Sequence, residues 1–224
     1  MKVVLDIETV AAPINEWAAL VGLDIVQVES DFANFEKDYQ KSVFDGTFSR
    51  IVCIGVLILQ DDSASLNAIA WYGDDEKAIL KAFWDFMGKQ RPDQVITHNG
   101  LNFDLPFIRK RSMIHQVKPT VEINLAKFQA RSVFDTMAVW TNWDFRGGIK
   151  LDVLARALQV ETKSGSGEQV GEMWASRKWK EIAEYCLKDV YVTYACYCRM
   201  NYLGHQKSTE ALEKRILHLA GLGS

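Results

Sequence analysis

The sequence lacks the features of a disulfide-stabilised, zinc-framework or membrane-spanning protein. It has four cysteines in 224 residues, all inside apolar segments and none in a Cys-x-x-Cys pair, which argues against both kinds of framework. No apolar run reaches the roughly eighteen residues of a transmembrane helix. The N-terminal apolar run is short and is interrupted at Asp6, so no secretory signal is predicted. We therefore expect reduced, buried thiols in a cytoplasmic protein without membrane contact.

A strong charge of either sign is also missing. The net charge of −3 gives no global attraction to nucleic acid, yet a local basic stripe or a bound metal ion can dominate a single site. The content of 48% hydrophobic and 25% charged residues is ordinary for a globular protein of this length. Composition therefore predicts one sizeable domain and leaves its function open.

The pattern along the chain predicts an α/β domain with a mixed sheet. Apolar, β-branched runs at residues 2–8, 50–59 and 66–73 predict strands, and the chain then alternates between helices and strands. A long helix is predicted from residue 178 onwards. "ETKSGSGEQVG", at residues 161–171, is the one Gly/Ser-rich loop.

Two segments stand apart from this pattern. Residues 11–49 mix aromatic and acidic residues without clean periodicity, and we interpret them as a connecting segment, either an insertion or a segment that covers part of a site. Restriction of the site to single strands, binding of a partner and packing on the sheet are the open alternatives for its role. Residues 205–224 follow a polar break and are predicted to form a C-terminal helix. The domain prediction is therefore one main domain over residues 1–204, including residues 11–49, followed by that helix.

The first segment, "MKVVLDIET", places two carboxylates in a buried strand. Because side chains alternate along a strand, Asp6 and Glu8 point to the same side. Like charges side by side near a core are unfavourable unless a positive charge lies between them. Either the strand ends early and both acids are solvated, or they share a divalent metal ion.

Further acids occur in two other segments. Asp104 follows a predicted strand at the start of a helix, and Asp189 lies within the long helix, four residues after Tyr185. Carboxylates that converge without histidine or cysteine favour Mg²⁺ or Mn²⁺ over zinc. Two such ions roughly 4 Å apart are the usual arrangement for in-line displacement at phosphorus.

Each of these residues also has a structural interpretation. Asp104 fits an N-terminal helix cap, and the orientation of its side chain distinguishes capping from metal binding. Tyr185 alone fits a core tyrosine with its hydroxyl at the surface. His98 is interpreted as a strand-end residue with a structural role. The basic run Arg109–Arg111 is interpreted as a solvated helix face, with phosphate contact as the alternative.

Three motifs occur in order along the chain, "DIET" from Asp6, "HNGLNFDLP" from His98 and "YCLKD" from Tyr185. Together they resemble the DEDD superfamily of 3′–5′ exonucleases, in the branch whose third motif is Tyr-x-x-x-Asp. "HNGLNFDLPFI" and the "KLDVLARAL" helix are most similar to the exonuclease domain of family-B DNA polymerases and its stand-alone relatives. The resemblance spans residues 3 to about 200, is sharp only at the motifs, and implies a ribonuclease H-like mixed sheet flanked by helices.

The resemblance implies a role for each matching residue. Asp6, Glu8 and Asp189 would bind the catalytic metal ion, Asp6 would bridge to a second ion, and Asp104 would hold that ion through water. Tyr185 would orient the nucleophilic water. The positions matching those that touch the 3′-terminal nucleotide in relatives are Thr9, Asn99 and Phe103. Phe103 would stack on the terminal base. Other acids, such as Asp135 and Asp152, are assigned to packing or caps and left out of the site.

The implied function is that of a metal-dependent 3′–5′ exonuclease acting on single-stranded or frayed nucleic acid, with DNA preferred. Its expected cofactors are two divalent cations, Mg²⁺ or Mn²⁺. Its expected partners are the 3′ end of single-stranded DNA or RNA and a separate polymerase or repair factor, because no polymerase domain follows in these 224 residues. The alternatives are a ribonuclease that trims RNA 3′ ends and a catalytically silent nucleic-acid-binding module.

Overall fold

The computed structural model describes residues 1–59, 66–161, 169–203 and 212–218. In this part of the chain the centre is one mixed sheet of six strands. In chain order the strands are β1 (Lys2–Ala11), β2 (Ser49–Leu59), β3 (Leu66–Tyr72), β4 (Gln94–Thr97), β5 (Val133–Asp135) and β6 (Leu212–His218). Their order across the sheet is β5-β4-β1-β2-β3-β6.

Strand β2 runs against the direction of its neighbours. It pairs antiparallel with β1 and with β3, whereas the pairs β1–β4, β4–β5 and β3–β6 are parallel. The predicted mixed sheet of an α/β, ribonuclease H-like fold is therefore confirmed. In particular, the predicted strands at residues 2–8, 50–59 and 66–73 correspond to β1, β2 and β3.

Helices cover both faces of the sheet. In chain order the described helices are α1 (Ile14–Val21), α2 (Ile25–Ser30), α3 (Phe32–Ser42), α4 (Glu76–Gln90), α5 (Asp104–Ile114), α6 (Thr136–Trp140), α7 (Leu151–Ala157), α8 (Gln169–Ala175) and α9 (Trp179–Met200). Among these described helices, none is both long and apolar enough to cross a membrane.

Two apolar cores lie on opposite faces of the sheet. Val3, Leu5 and Ile7 of β1 pack into the core that α4 and α5 cover. Val4 and Val10 belong to the other core, which the apolar side of α9 covers. Because the side chains of β1 alternate in this way, Asp6 and Glu8 lie on the α9 face.

Residues 11–49 differ from the expected irregular connection. They form the three short helices α1, α2 and α3, which enclose a small core of their own around Trp17, Ala18 and Val28. The tertiary contacts of Trp17 with Phe35 and Tyr39 hold these helices together. Each helix is only 6 to 11 residues long, so its apolar pattern covers too few turns to distinguish it from a connecting segment in the sequence.

The predicted C-terminal helix over residues 205–224 is wrong where the structure describes this segment. Leu212–His218 forms β6, which pairs in parallel with β3 from Leu66↔Leu212 to Tyr72↔His218. The free edge of β3 offers unpaired backbone groups, and pairing with them outweighs the helix propensity of Leu, Glu, Lys and Arg. Residues 204–211 and 219–224, and residues 162–168 of the predicted loop, lie outside the described residues. Within that loop, residues 169–171 already belong to α8.

Gly55 allows α9 to lie close to the sheet at the position of Asp6. It pairs with Asp6 across β1 and β2. A Cβ atom at Gly55 would lie 2.7 Å from Cys186 Sγ and 3.2 Å from Val190 Cγ2 of α9. Any larger residue would therefore push α9 away from β1.

We predict that Gly55→Ala lowers the free energy of unfolding by about 1–3 kcal/mol, the usual range for an overpacked core. Urea denaturation measures the change. Gly171→Ala in α8 is the matched control, because nothing lies within 4 Å of a Cβ atom there. A Gly55→Ala protein as stable as the control would contradict the close approach of α9.

Candidate active site

Strand β1 presents two acids toward α9. Asp6 lies opposite Gly55, and Glu8 lies opposite Cys53, in the antiparallel pairing with β2. A β-bulge follows between Glu8 and Thr9. Glu8 is only 8% exposed, whereas Asp6 keeps part of its surface open to solvent. The interpretation that the strand ends before these acids is therefore wrong, since β1 continues to Ala11.

Asp104 reaches the same place from the other side of β1. Strand β4 pairs only with Lys2–Val4 of β1, so the backbone of β1 is free beyond that point on this edge. The backbone N–H of Ile7 donates to Asp104 Oδ1 at 3.1 Å, and Asp104 is 2% exposed. Asp104 is the first residue of α5, and its carboxylate turns toward β1.

Helix α9 brings in the third group of residues. Tyr185 and Asp189 lie one turn apart on the side of α9 that faces the sheet, and the Tyr185 hydroxyl donates a hydrogen bond to the Asp189 carboxylate. The charge of Asp189 acts on both Asp6 and Glu8. The structure therefore brings four acids together, which we call the acid cluster: Asp6, Glu8, Asp104 and Asp189.

The acids of the cluster oppose one another's ionisation. Burial raises the pKa of Asp6 well above its usual range, and the charges of Asp104, Glu8 and Asp189 raise it further. Burial also raises the pKa of Glu8, with Asp189 and Asp104 adding to the shift. These shifts have the direction expected of carboxylates that repel one another in a poorly solvated place.

Burial is also the main cause of the raised pKa of the other two acids, and the like charges that add to it are those of Asp135 and Asp152. Burial raises the pKa of Asp104 to about 7, although the hydrogen bond from the Ile7 N–H lowers it. Burial raises the pKa of Asp189 as well. The charge of Lys188 lowers the pKa of Asp189. A divalent cation would relieve this repulsion.

The donor atoms fit a hard divalent cation. Ligand atoms of Asp6, Glu8 and Cys186 all lie within 4.8 Å of one another. Cys186 donates its S–H to the Asp6 carbonyl oxygen at 3.5 Å and to Asp6 Oδ2 at 3.7 Å, and burial raises the pKa of the thiol well above its usual range. A protonated thiol is a poor ligand, so the carboxylate oxygens remain as donors, and these suit Mg²⁺ or Mn²⁺.

The second motif forms a loop that Asp135 holds in place. The buried Asp135 accepts hydrogen bonds from the backbone N–H of Asn99 at 2.9 Å and of Leu101 at 3.0 Å. It also accepts from Met137 N and Ala138 N at the start of α6. These contacts agree with the prediction that Asp135 serves packing and capping. The same contacts fix the loop that precedes Asp104.

The three residues predicted to bind substrate lie around this cluster in different ways. Thr9 follows Glu8 on β1 and donates its hydroxyl to the Val43 carbonyl at 3.2 Å. Phe103 directly precedes Asp104 and packs on Phe107, with ring centroids 5.5 Å apart. Asn99 adopts a left-handed backbone conformation with φ 62°. In the described part of the chain, its side chain accepts a hydrogen bond from Asn102.

His98 is held in place by both ring nitrogens. Nδ1 contacts Thr136 Oγ1 at 2.8 Å and Nε2 contacts the Ile149 carbonyl at 2.9 Å. Burial lowers the pKa of its imidazole, so the ring is neutral at physiological pH. These contacts connect the loop of the second motif to the segment before α7, which agrees with a structural role.

Sequence reasoning misses the part that Cys186 and Gly55 play. Both lie against Asp6, Gly55 across the strand pair and Cys186 across the interface with α9. The available signal is the position of Cys186 directly after Tyr185, inside the third motif. The sequence alone identifies it only as one of several buried thiols, because it does not tell which strand α9 covers.

The family model described as "Predicted 3'-5' exonuclease related to the exonuclease domain of PolB" matches residues 41–221. The chain belongs to this family. The predicted resemblance to the exonuclease domain of family-B DNA polymerases is thereby confirmed. The match contains the second and third motifs and begins after β1, so it does not include Asp6, Glu8 and Thr9.

Relatives in the curated set are much longer than this chain. A DNA polymerase of Thermococcus litoralis is 26% identical over 165 residues, which are 62% of this chain and 10% of that protein. The catalytic chain of DNA polymerase epsilon from Saccharomyces cerevisiae is 29% identical over 136 residues, 56% of this chain and 6% of that protein. DNA polymerase 1 of Pyrococcus abyssi is 24% identical over 167 residues, 62% of this chain and 21% of that protein. The chain therefore corresponds to a small part of each polymerase.

We predict that Asp104→Asn stabilises the metal-free protein at pH 8 by about 1–3 kcal/mol, because each unit of pKa shift is worth about 1.4 kcal/mol. The amide oxygen still accepts from the Ile7 N–H, while one buried negative charge is removed. Adding Mg²⁺ or Mn²⁺ is expected to raise the melting temperature of the wild type more than that of the variant. Differential scanning fluorimetry in EDTA and in each metal measures both effects.

Asp85→Asn on the exposed side of α4 is the control for loss of one negative charge. It is expected to change neither the metal-free stability nor the response to metal. If Asp104→Asn behaves like this control, the acid cluster is not under electrostatic strain and does not bind the added ions.

Proposed function

We propose that this chain removes nucleotides one at a time from the 3′ end of single-stranded nucleic acid, with DNA preferred, using two divalent cations, Mg²⁺ or Mn²⁺. The observation that carries the proposal is the meeting of four acids from β1, α5 and α9, each with a raised pKa, beside the hydroxyl of Tyr185. A structural role would not place like charges together without a balancing cation.

The acid cluster would hold the cations. When bound, such ions lower the pKa of a coordinated water molecule and neutralise charge on a phosphate and its leaving oxygen. Asp6 and Glu8 of β1 and Asp189 of α9 lie where the strand meets the helix, and Asp104 approaches from the side of β1 that β4 leaves unpaired. We assign the first three to one ion, with Asp6 also facing the second, which Asp104 would hold through water.

In the proposed reaction, a water oxygen forms a bond to the terminal phosphorus. The bond between that phosphorus and the 3′ oxygen of the preceding nucleotide breaks, which releases a 5′ mononucleotide and a shortened strand. Burial and the neighbouring acids raise the pKa of the Tyr185 phenol, so it stays protonated at neutral pH. Tyr185 would therefore orient the water through its hydroxyl oxygen and would not act as a base.

Substrate would approach along the end of β1 that carries Thr9. Phe103 offers an aromatic ring next to Asp104, and stacking of a base on such a ring tolerates any base sequence. Asn99 lies in the preceding loop, where its left-handed conformation and the Asp135 hydrogen bond fix its backbone. We assign Thr9, Asn99 and Phe103 to contacts with the terminal nucleotide.

The DNA preference rests on the relatives. The matched proteins are named DNA polymerases, so DNA is the substrate we propose first. The substrate would be a DNA 3′ end that a separate polymerase or a repair factor releases. Because all four acids and Tyr185 are present and adjacent, we do not favour a silent nucleic-acid-binding module.

We predict that Asp6→Ala, Glu8→Ala, Asp104→Ala and Asp189→Ala each reduce cleavage by about a thousandfold or more, because each removes charge stabilisation worth several kcal/mol in the transition state. Tyr185→Phe is expected to cost less, since it disturbs only the orientation of the water. A gel assay with 5′-labelled single-stranded DNA and RNA of one sequence, in Mg²⁺, Mn²⁺ or EDTA, measures cleavage from the 3′ end.

Asp85→Ala on the exposed side of α4 is the matched control, because α4 covers the face of the sheet opposite to α9. It is expected to cleave like the wild type. Faster shortening of RNA than of DNA would replace the DNA preference with a 3′-trimming ribonuclease. Substantial cleavage by Asp6→Ala would contradict the proposed metal site.

A further inference from the structure

The loop between α3 and β2 places an exposed aromatic ring beside the candidate active site. Phe44 is 71% exposed, although it is a large apolar side chain. Its ring lies 6.4 Å from that of Phe103, centroid to centroid, with the ring planes at 60°. The preceding residue, Val43, accepts the hydroxyl hydrogen bond of Thr9. Phe44 therefore lies next to two of the residues assigned to the substrate, on a segment whose role the sequence left open.

Contacts on the surface side hold this loop. Lys110 of α5 forms an ion pair with Asp45 at 2.6 Å, and Asp45 also accepts from the Thr47 backbone N–H at 2.8 Å. The Ser49 hydroxyl donates to the Ser42 carbonyl at 2.7 Å, which joins the two ends of the loop. An exposed aromatic side chain on a loop held in this way has a defined position.

Buried contacts hold the loop from below. The Arg111 guanidinium donates to the Gly46 carbonyl at 3.3 Å and binds both carboxylate oxygens of Glu76, at 2.8 and 2.6 Å. A Cβ atom at Gly46 would lie 3.1 Å from Phe107 Cδ1, so the backbone of the loop packs directly on α5. In the run Arg109–Arg111, Arg111 is buried, which corrects the interpretation of the whole run as a solvated face.

We propose that Phe44 is a second base-contacting residue, which together with Phe103 forms an aromatic pair that receives unpaired bases at the 3′ end of the strand. This inference rests on the proposed exonuclease function. Two bases stacked on rings that are inclined by 60° are not parallel to each other, whereas neighbouring bases in a duplex are. The aromatic pair would therefore favour single strands and frayed ends over paired ends.

A structural role alone does not explain the exposure of Phe44. A ring that served packing would be covered, as Phe48 and Phe32 of the same segment partly are. Stacking on a base covers the exposed face and is worth about 1–3 kcal/mol by alanine substitution. Such a contact strengthens substrate binding without touching the acid cluster.

The test compares Phe44→Ala, Phe44→Leu and Phe44→Tyr with the wild type. Oligonucleotides with 2-aminopurine at the 3′-terminal or the penultimate position report base stacking by fluorescence in EDTA, and a gel assay in Mg²⁺ separates KM from kcat. We expect Phe44→Ala to raise Kd and KM for single strands by about 5- to 100-fold with little change in kcat. Phe44→Leu should lose the same affinity, and Phe44→Tyr should retain it, because only tyrosine keeps an aromatic face.

Val26→Ala in α2 is the control, since Val26 is 69% exposed on the same segment. It is expected to leave Kd, KM and the fluorescence signal unchanged. A double variant with Phe103→Ala should lose less affinity than the two single losses combined, because contacting residues that bind one ligand are coupled.

Two failures are distinguishable. A wild type that neither binds nor shortens single-stranded DNA or RNA overturns the proposed function and this inference with it. A wild type that shortens strands, with Phe44→Ala unchanged in Kd, KM and 2-aminopurine signal, overturns the aromatic pair alone. Loss of kcat with unchanged KM in Phe44→Ala also overturns it, because that pattern indicates displacement of the site and not loss of a base contact.

Discussion

The repulsion among four neighbouring carboxylates, of which Glu8 and Asp104 are buried and Asp6 and Asp189 half-buried, is the constraint on which the rest of this structure depends. Folding must bring them together against their mutual charge, and the apolar contacts of β1, β2 and α9 supply the free energy to do so. The acids lie between α9 and the two strands at the centre of the sheet, β1 and β2. Marginal proteins tolerate such a cost only where it serves function.

Each acid reaches the cluster through a different local device. Asp6 and Glu8 arrive by the alternation of β1, Asp189 and Tyr185 by the four-residue spacing of α9, and Asp104 by a hydrogen bond to a free backbone N–H. All four acids lie on a strand or a helix. The site is therefore built on rigid elements, and the loop that precedes Asp104 is fixed by the buried Asp135.

The sequence predicted the fold where local patterns are strong. The β-branched runs of β1 and β2 and the amphipathic pattern of α4 indicated the right elements, and the spacing within "DIET" and "YCLKD" indicated the right faces. The prediction failed at Leu212–His218, because pairing with the edge of β3 is a long-range contact that competes with helix propensity. It also missed the helices of residues 11–49, and with them the position of Phe44. A pattern in the sequence does not show which distant element a residue meets.

The short length of β4 has a consequence for how such a site arises. Strand β4 ends at Thr97 while β1 continues to Ala11. The later residues of β1 therefore have no strand partner on the β4 side, which leaves a gap there. Asp104 fills that gap and takes the place of a backbone carbonyl by accepting from Ile7. Two more residues in β4 would extend the ladder and satisfy Ile7 with main chain. The position of the Asp104 carboxylate therefore depends on β4 being short, and a longer β4 would separate Asp104 from Ile7 with every acid retained.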